Sequence, residues 1–425
     1  MACRARVCYH DLFLEARVKK RFIAVVFTLT IVAVQTGLTC TIFNASRKGL
    51  VLVGNTEDMP STDSFIYFMP GEKGKHGIVY VGFERYGVQG AMSDQGLFLD
   101  FNALNYPKMN PHPEKPGFGK DQWMFIVAME TCATVEDVIA LFTTHNLAGW
   151  GCFQVQFVDK TGASVVMGPD KNGELFVVRK AGEYQVSTNF SLANPEFGAR
   201  SYPCPRYKIA NEMLQNMKEL SVDYYRSILA AVHAEGEIPT AYANICDLTN
   251  GEFYLYNFHN FEEAAKFNVA EELKKGKHFF KMASLFPRKT NAQIRFEETL
   301  EQTPARILED VFNKQGTKAT IEKLAQIRSS YSPENGDSQL SAQVSKLVLL
   351  MQINGKLNES LEIYAAYARE YPNSAPIQKN LGDLYMKTGK RDEAIRCYET
   401  VLKLSPDNAE VRSALDTLRK SPASK

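Results

Sequence analysis

Cys40 is preceded by a basic stretch (Arg17, Lys19, Lys20 and Arg21), an apolar run from Phe22 to Gly37, and the junction Gly37-Leu38-Thr39-Cys40. That order is the pattern of a secretory signal, with the smallish residues Gly37 and Thr39 in the A-x-A-like places of a cut before Cys40. A cut there frees an α-amino group on a cysteine. The thiol has an ordinary pKa of about 8.5 and the α-amine one of about 7.7–8.0, so the nucleophile carries its own base. Such a pair is equipped for nucleophilic catalysis, the amine serving as base for the thiol. A polar group follows closely in Gly54-Asn55-Thr56-Glu57-Asp58. With Cys40-Thr41-Ile42-Phe43 opening one strand and Leu52–Asp58 returning as the next, Asp58 can hold the amine and Asn55 can bond the substrate. Taken alone, the same pentapeptide also reads as a solvated turn.

The chain has 425 residues, 45% hydrophobic and 23% charged, which is a globular composition with room for two or three domains. A formal net charge of +1 argues against nucleic acid as a partner. The Phe22–Gly37 run is short for a membrane span, so the membrane is met only transiently, through a signal removed on export. Beyond the signal lie Cys40, Cys132, Cys152, Cys204, Cys246 and Cys397, none in a CxxC spacing, and the histidines are scattered without a ligand rhythm. Neither a metal nor another cofactor is expected. Export would allow disulfides among Cys132, Cys152, Cys204 and Cys246, with no pairing favoured by the sequence.

The elements that must position this chemistry are mixed. Leu50–Val53, Gly77–Gly82 and Gly96–Phe101 are short apolar runs flanked by glycine, and Asp121–His145 has helical periodicity with Thr134 as a cap. Cys152–Met167 and Leu175–Arg179 read as meander strands around the turn Asp170-Lys171-Asn172-Gly173. Tyr202–Val232 reads as helical, and Ala243–Phe258 as a hairpin turning at Asn250-Gly251. From about Asn291 the pattern becomes almost wholly helical with a 34-residue period, placing Gly355 over Gly389, Tyr364 over Tyr398 and Pro372 over Pro406. Asn380-Leu381-Gly382-Asp383-Leu384-Tyr385, with Ala394, Tyr398 and Pro406, resembles the tetratricopeptide consensus. Ala305–Ser330 reads as a degenerate earlier helix pair and Ala409–Lys420 as a capping helix. The expected domains are a signal over 1–39, an α+β domain over 40–290, and a helical domain over 291–425 whose repeats are clearest at 341–408.

Several segments lie in an order that resembles a known family. Cys40 with Asn55-Thr56-Glu57-Asp58 is followed by Gln89-Gly90-Ala91-Met92-Ser93-Asp94-Gln95-Gly96-Leu97 and Asp100-Phe101-Asn102-Ala103-Leu104. Then come Ala133-Thr134-Val135-Glu136-Asp137, Asp159-Lys160-Thr161-Gly162, Thr188-Asn189 and Pro205-Arg206-Tyr207. Over about residues 40–260 this resembles the choloylglycine hydrolase type of N-terminal-nucleophile hydrolase, which cleaves linear amide C–N bonds. The resemblance implies a four-layer αββα sandwich, here followed by an all-α tetratricopeptide-like domain. It implies Cys40 as nucleophile, Asp58 beside it, Asn189 as an oxyanion donor, Asn102 or the backbone N–H of Ala103 as a second, and Arg206 as a positive charge lowering the thiol pKa. Many members carry an arginine or lysine where this chain has Asn55, so the resemblance extends to amide cleavage and not to a particular amide.

The expected substrate is therefore a small acyl amide such as an N-acyl amino acid. Transfer of the acyl group from a Cys40 thioester to an amine is the alternative within enzymes, and a non-catalytic scaffold presenting the repeats is the alternative outside them. The repeat groove would suit a protein or peptide partner. Secreted protein should begin at Cys40 by N-terminal sequencing; a mature chain starting elsewhere would remove the α-amine base and with it the mechanism.

Overall fold

The computed structural model describes residues 40–420, apart from 84–86, 105–107, 120–121, 197–203, 237 and 330–335; the expected signal, residues 1–39, lies outside them. The chain forms two compact units, one ending at Ile294 and one beginning at Arg295. No helix among the described residues is long and apolar enough to cross a membrane. None of the six described cysteines is bridged to another.

The first unit holds two antiparallel sheets. One has the order β10-β1-β2-β11-β12-β13, from Tyr184–Ser187, Thr41–Arg47, Leu50–Asp58, Thr240–Asp247, Glu252–Asn257 and Asn260–Asn268. The other runs β14-β3-β4-β5-β6-β7-β8-β9, from His278–Lys281, Ser64–Met69, Ile78–Phe83, Gly87–Ser93, Phe98–Ala103, Phe153–Val158, Ser164–Pro169 and Leu175–Arg179. Alternation along the strands sends Ile42, Val51 and Val53 of the first sheet against Ile66, Val79 and Met92 of the second. Phe43, Ala45 and Leu52 turn the other way, against Ala210, Leu214 and Ile228. Those belong to α3 (Pro205–Gln215) and α4 (Val222–Val232). The far face of the second sheet packs Leu99, Val155 and Phe157 on Phe125, Val138 and Phe142 of α1 (Met124–Thr131) and α2 (Val135–Thr144). The layers are thus α, β, β, α, as the resemblance implied.

The single helix expected over Asp121–His145 is two, broken at Cys132 to Thr134, where Thr134 and Asp137 form a reciprocal capping box. Likewise Tyr202–Val232 contains α3 and α4, with Ser221 capping the second. Two hairpins set the registers that matter below. β1 and β2 turn at Lys48 and Gly49, both left-handed with φ of 52° and 82°. β12 and β13 turn at Phe258 and His259, also left-handed with φ of 39° and 59°.

The second unit is helical. The expected pair over Ala305–Ser330 is α7 (Pro304–Arg328), broken at Gly316, where φ is 80° and ψ −172°. The repeat follows as α9 (Leu357–Arg369), α10 (Ala375–Lys387) and α11 (Arg391–Leu404), with α12 (Ala409–Lys420) after them. Gly355 and Gly389 occupy the same left-handed position before α9 and α11, with φ of 75° and 74°. A methyl group on Gly382 would lie 2.6 Å from the Tyr398 ring, so the small residue is what lets α10 and α11 close on each other.

Gly54 does similar work in the first unit, because a Cβ there would sit 2.4 Å from the Phe43 ring. Phe43 is wholly buried and cannot swing out to water. Gly54→Ala should cost about 1–3 kcal/mol by overpacking and lower the thermal midpoint by several degrees. An unchanged midpoint would show that the ring has room to move.

Candidate active site

Cys40 precedes β1 directly and is buried, its thiol donating to Glu57 Oε1 at 3.3 Å. The hairpin register creates this contact: Thr41 pairs with Thr56, so the next pair outward is Cys40 with Glu57. Alternation then separates the acids at the end of β2. Asn55 and Glu57 share the parity of Val51 and Val53 and face the second sheet; Asp58 shares the parity of Leu52 and faces α3.

On the helix side, Arg206 lies in the first turn of α3. Its Nη1 donates to Asp58 Oδ2 and to Thr41 Oγ1, each at 3.0 Å, and its Nη2 to Asn189 Oδ1 at 3.3 Å. The Asp58 side chain is fully buried and that of Arg206 is 14% exposed. Thr240, the first residue of β11, donates its hydroxyl to Asp58 Oδ1 at 2.5 Å. Asn189, just after β10, donates to the Ala103 carbonyl at 3.1 Å. Asn102, the neighbour of Ala103 on β6, donates to the Cys40 carbonyl at 3.2 Å. The hydrogen bonds thus run from α3 through the first sheet to the second, and Cys40 sits inside the circuit.

Between the sheets the surroundings are acidic. Burial, and to a lesser degree the Asp58 charge, push the Glu57 carboxyl from 4.5 up to about 8. The Cys40 thiol and the Asn55 amide work against that shift, the amide without completing a hydrogen bond of ordinary geometry. Asp100 on β6 is also pushed well up, by burial first and then by the Glu57 charge, while the Phe101 N–H holds its Oδ1 at 2.6 Å. Gly90 makes room for this carboxyl, since a Cβ there would fall 2.4 Å from Asp100 Oδ2. The Cys40 thiol is itself raised, by burial and then by Glu57, Asp58 and Asp100; a hydrogen bond from the Asp58 backbone opposes them.

Several buried polar atoms here make no hydrogen bond among the described residues: both amide atoms of Asn55, Glu57 Oε2, Asp100 Oδ2, Asn102 Oδ1 and Asn244 Oδ1. Asn244 on β11 stands directly across from Asn55. Leaving such groups unpaired costs about 1–3 kcal/mol each, so their convergence marks a place built for something other than stability.

Of the six residues expected from the sequence, Cys40, Asp58, Asn102, Asn189 and Arg206 fall in one network, and Asn55 joins it beside Glu57. One expectation needs correction. Arg206 was to lower the thiol pKa, but its guanidinium is directed at Asp58 on the helix side, and the thiol is raised instead. The polar pentapeptide is the buried end of β2, as the strand reading expected, and the alternative of a solvated turn falls away. Glu57, Asp100, Thr240 and Asn244 were not singled out. Strand alternation puts Glu57 on the face opposite Asp58, the face of Val51 and Val53. For Asp100 the available signal was one acid inside the apolar run Leu97-Phe98-Leu99-Asp100-Phe101.

Residues 353–418 match the tetratricopeptide repeat family. Among solved structures, the chain is similar to a variant of conjugated bile acid hydrolase from Clostridium perfringens, at 16% identity and a TM-score of 0.45, over 60% of this chain and 98% of that one. A second mutant of that enzyme gives 15% identity, a TM-score of 0.45 and the same coverages of 60% and 98%. Penicillin V acylase from Agrobacterium tumefaciens gives 12% identity and a TM-score of 0.42, over 51% of this chain and 82% of that one. No curated protein matches the chain at a significant level.

The raised Glu57 pKa has a consequence for stability. A carboxyl that is easier to protonate when folded stabilises the fold below its unfolded pKa, and that contribution is lost as pH rises towards about 8. Wild-type stability should therefore decline between about pH 4.5 and 8, and Glu57→Gln should flatten the decline, gaining on wild type as pH rises. Thermal midpoints measured across that range would test it; parallel profiles would exclude Glu57 as the titrating group.

Proposed function

We propose that this protein is a cysteine hydrolase of linear amide C–N bonds, exported and active once residues 1–39 are removed. The observation that carries the reading is the set of unpaired, buried polar groups gathered around the Cys40 thiol. They can bind a polar substrate at the one buried nucleophile whose nitrogen would become an amine on processing.

The surrounding charges support processing as the activating event. While Thr39 is attached, the Cys40 nitrogen is an amide and has no basic lone pair. The charges acting on the thiol are then those of Glu57, Asp58 and Asp100, all of which disfavour a thiolate. A free α-ammonium would add the positive charge that this cluster calls for, and in its neutral form it would be the base.

The reaction follows from those groups. The α-amine takes the thiol proton as sulfur bonds to the amide carbonyl carbon. The tetrahedral intermediate collapses with cleavage of C–N, and the departing nitrogen receives the proton from the α-ammonium. Water, deprotonated by the α-amine, then attacks the thioester, the C–S bond breaks, and the carboxylic acid leaves with the thiol restored. Asn189 and Asn102 each spend one amide N–H on a backbone carbonyl, and each amide has a second N–H to offer the oxyanion. Glu57, with a pKa near 8 and 3.3 Å from the sulfur, can share the thiol proton during attack.

Processed protein should hydrolyse members of a panel of N-acyl amino acids and fatty amides, and Cys40→Ala should not. Equal turnover by the two proteins would refute Cys40 as the nucleophile.

A further inference from the structure

A second cluster of chemically capable side chains lies apart from Cys40. We propose that His233, Glu235 and His259 form a binding site for one divalent transition-metal ion of the zinc class. His233 closes α4 and Glu235 follows it, while His259 comes from the left-handed turn between β12 and β13. One ligand atom from each of the three lies within 4.8 Å of the others. His233 Nε2 is 3.3 Å from Glu235 Oε1. That is close to the edge of a tetrahedron, about 3.3 Å, that metal–ligand bonds of about 2.0–2.1 Å would produce.

Two independent details orient the imidazoles for this role. His233 Nδ1 lies 2.7 Å from the Ala230 carbonyl, which can only accept. The proton on Nδ1 is therefore held by that carbonyl, and a metal ion would displace the Nε2 proton shared with Glu235 to make Nε2 the ligating nitrogen. Anchoring of the remote nitrogen by a backbone carbonyl is the usual support of a metal-binding histidine. His259 Nε2 is buried and makes no hydrogen bond among the described residues, although its ring centroid is 4.6 Å from that of His233. Two imidazoles and a carboxylate supply three ligands, leaving a fourth position for water. The sequence offered no such signal because the hairpin, not the spacing, joins position 259 to 233 and 235.

The cluster also connects to the machinery around Cys40. Ala234, between two of the ligands, donates its N–H to Thr240 Oγ1 at 2.8 Å and accepts from Thr240 N at 2.9 Å. Thr240 in turn donates to Asp58. An ion held here would pin the segment that positions Thr240, and so the orientation of Asp58, without touching substrate. The proposal does not depend on the hydrolase reading.

The test is a titration of chelator-treated, dialysed full-length protein with Co(II) and then Zn(II). One equivalent of Co(II) should give the visible absorption of a four-coordinate site, and one equivalent of Zn(II) should abolish it. By calorimetry, Glu235→Gln and His259→Gln should each weaken Zn(II) binding at least tenfold, and the Zn(II)-induced rise in thermal midpoint should shrink with it. Glu235 is exposed, so its substitution leaves the packing intact even if the His259 variant folds poorly. Absence of binding by wild type would overturn the proposal, and so would unchanged affinity in Glu235→Gln.

Discussion

The ion pair between Arg206 and Asp58 is the contact on which the rest of the site depends. Asp58 ends β2 with its carboxylate wholly buried, and Arg206 reaches it from the first turn of α3. A carboxylate so placed is tolerated only with its charge matched and its lone pairs occupied, which Arg206 and the Thr240 hydroxyl accomplish. The same guanidinium bonds Thr41, the residue after Cys40, and Asn189. One cation therefore fixes the relative placement of β1, β2, α3 and the segment after β10. With Arg206 committed to the helix side, it does not offset the acids on the other side of the sheet.

That division explains the electrostatics of the thiol. Glu57 and Asp58 are neighbours in sequence and point to opposite faces of one strand. The acid facing α3 is paired; the acid facing Cys40 is pushed towards its neutral form by burial, as is Asp100 across the interface. The thiol shares this crowded, poorly solvated space and is held protonated.

Much of this was legible in the residues. The apolar alternation of β1 and β2, the Thr134 cap and the glycine-punctuated helical repeat follow from local periodicity, and each appears in the structure. The candidate residues were legible by type, because nucleophile, carboxylate, amides and guanidinium lie in a recognisable order. Their partners were not. Thr240 and Asn244 carry no local mark, and they and Asp100 reach the site only because β6 and β11 are set opposite β1 and β2 by the stacking and pairing of the sheets. The His233, Glu235 and His259 cluster escaped for the same reason, since a hairpin turn brings its third member back.

The sequence by itself determined which groups are present, the faces they take on each strand and the period of the helices, because those depend on neighbours a few residues away. Only the tertiary structure decided what each group's charge does. It assigned Arg206 to Asp58 and left Cys40 among acids, since a pKa is set by burial and by charges from strands far apart in the chain.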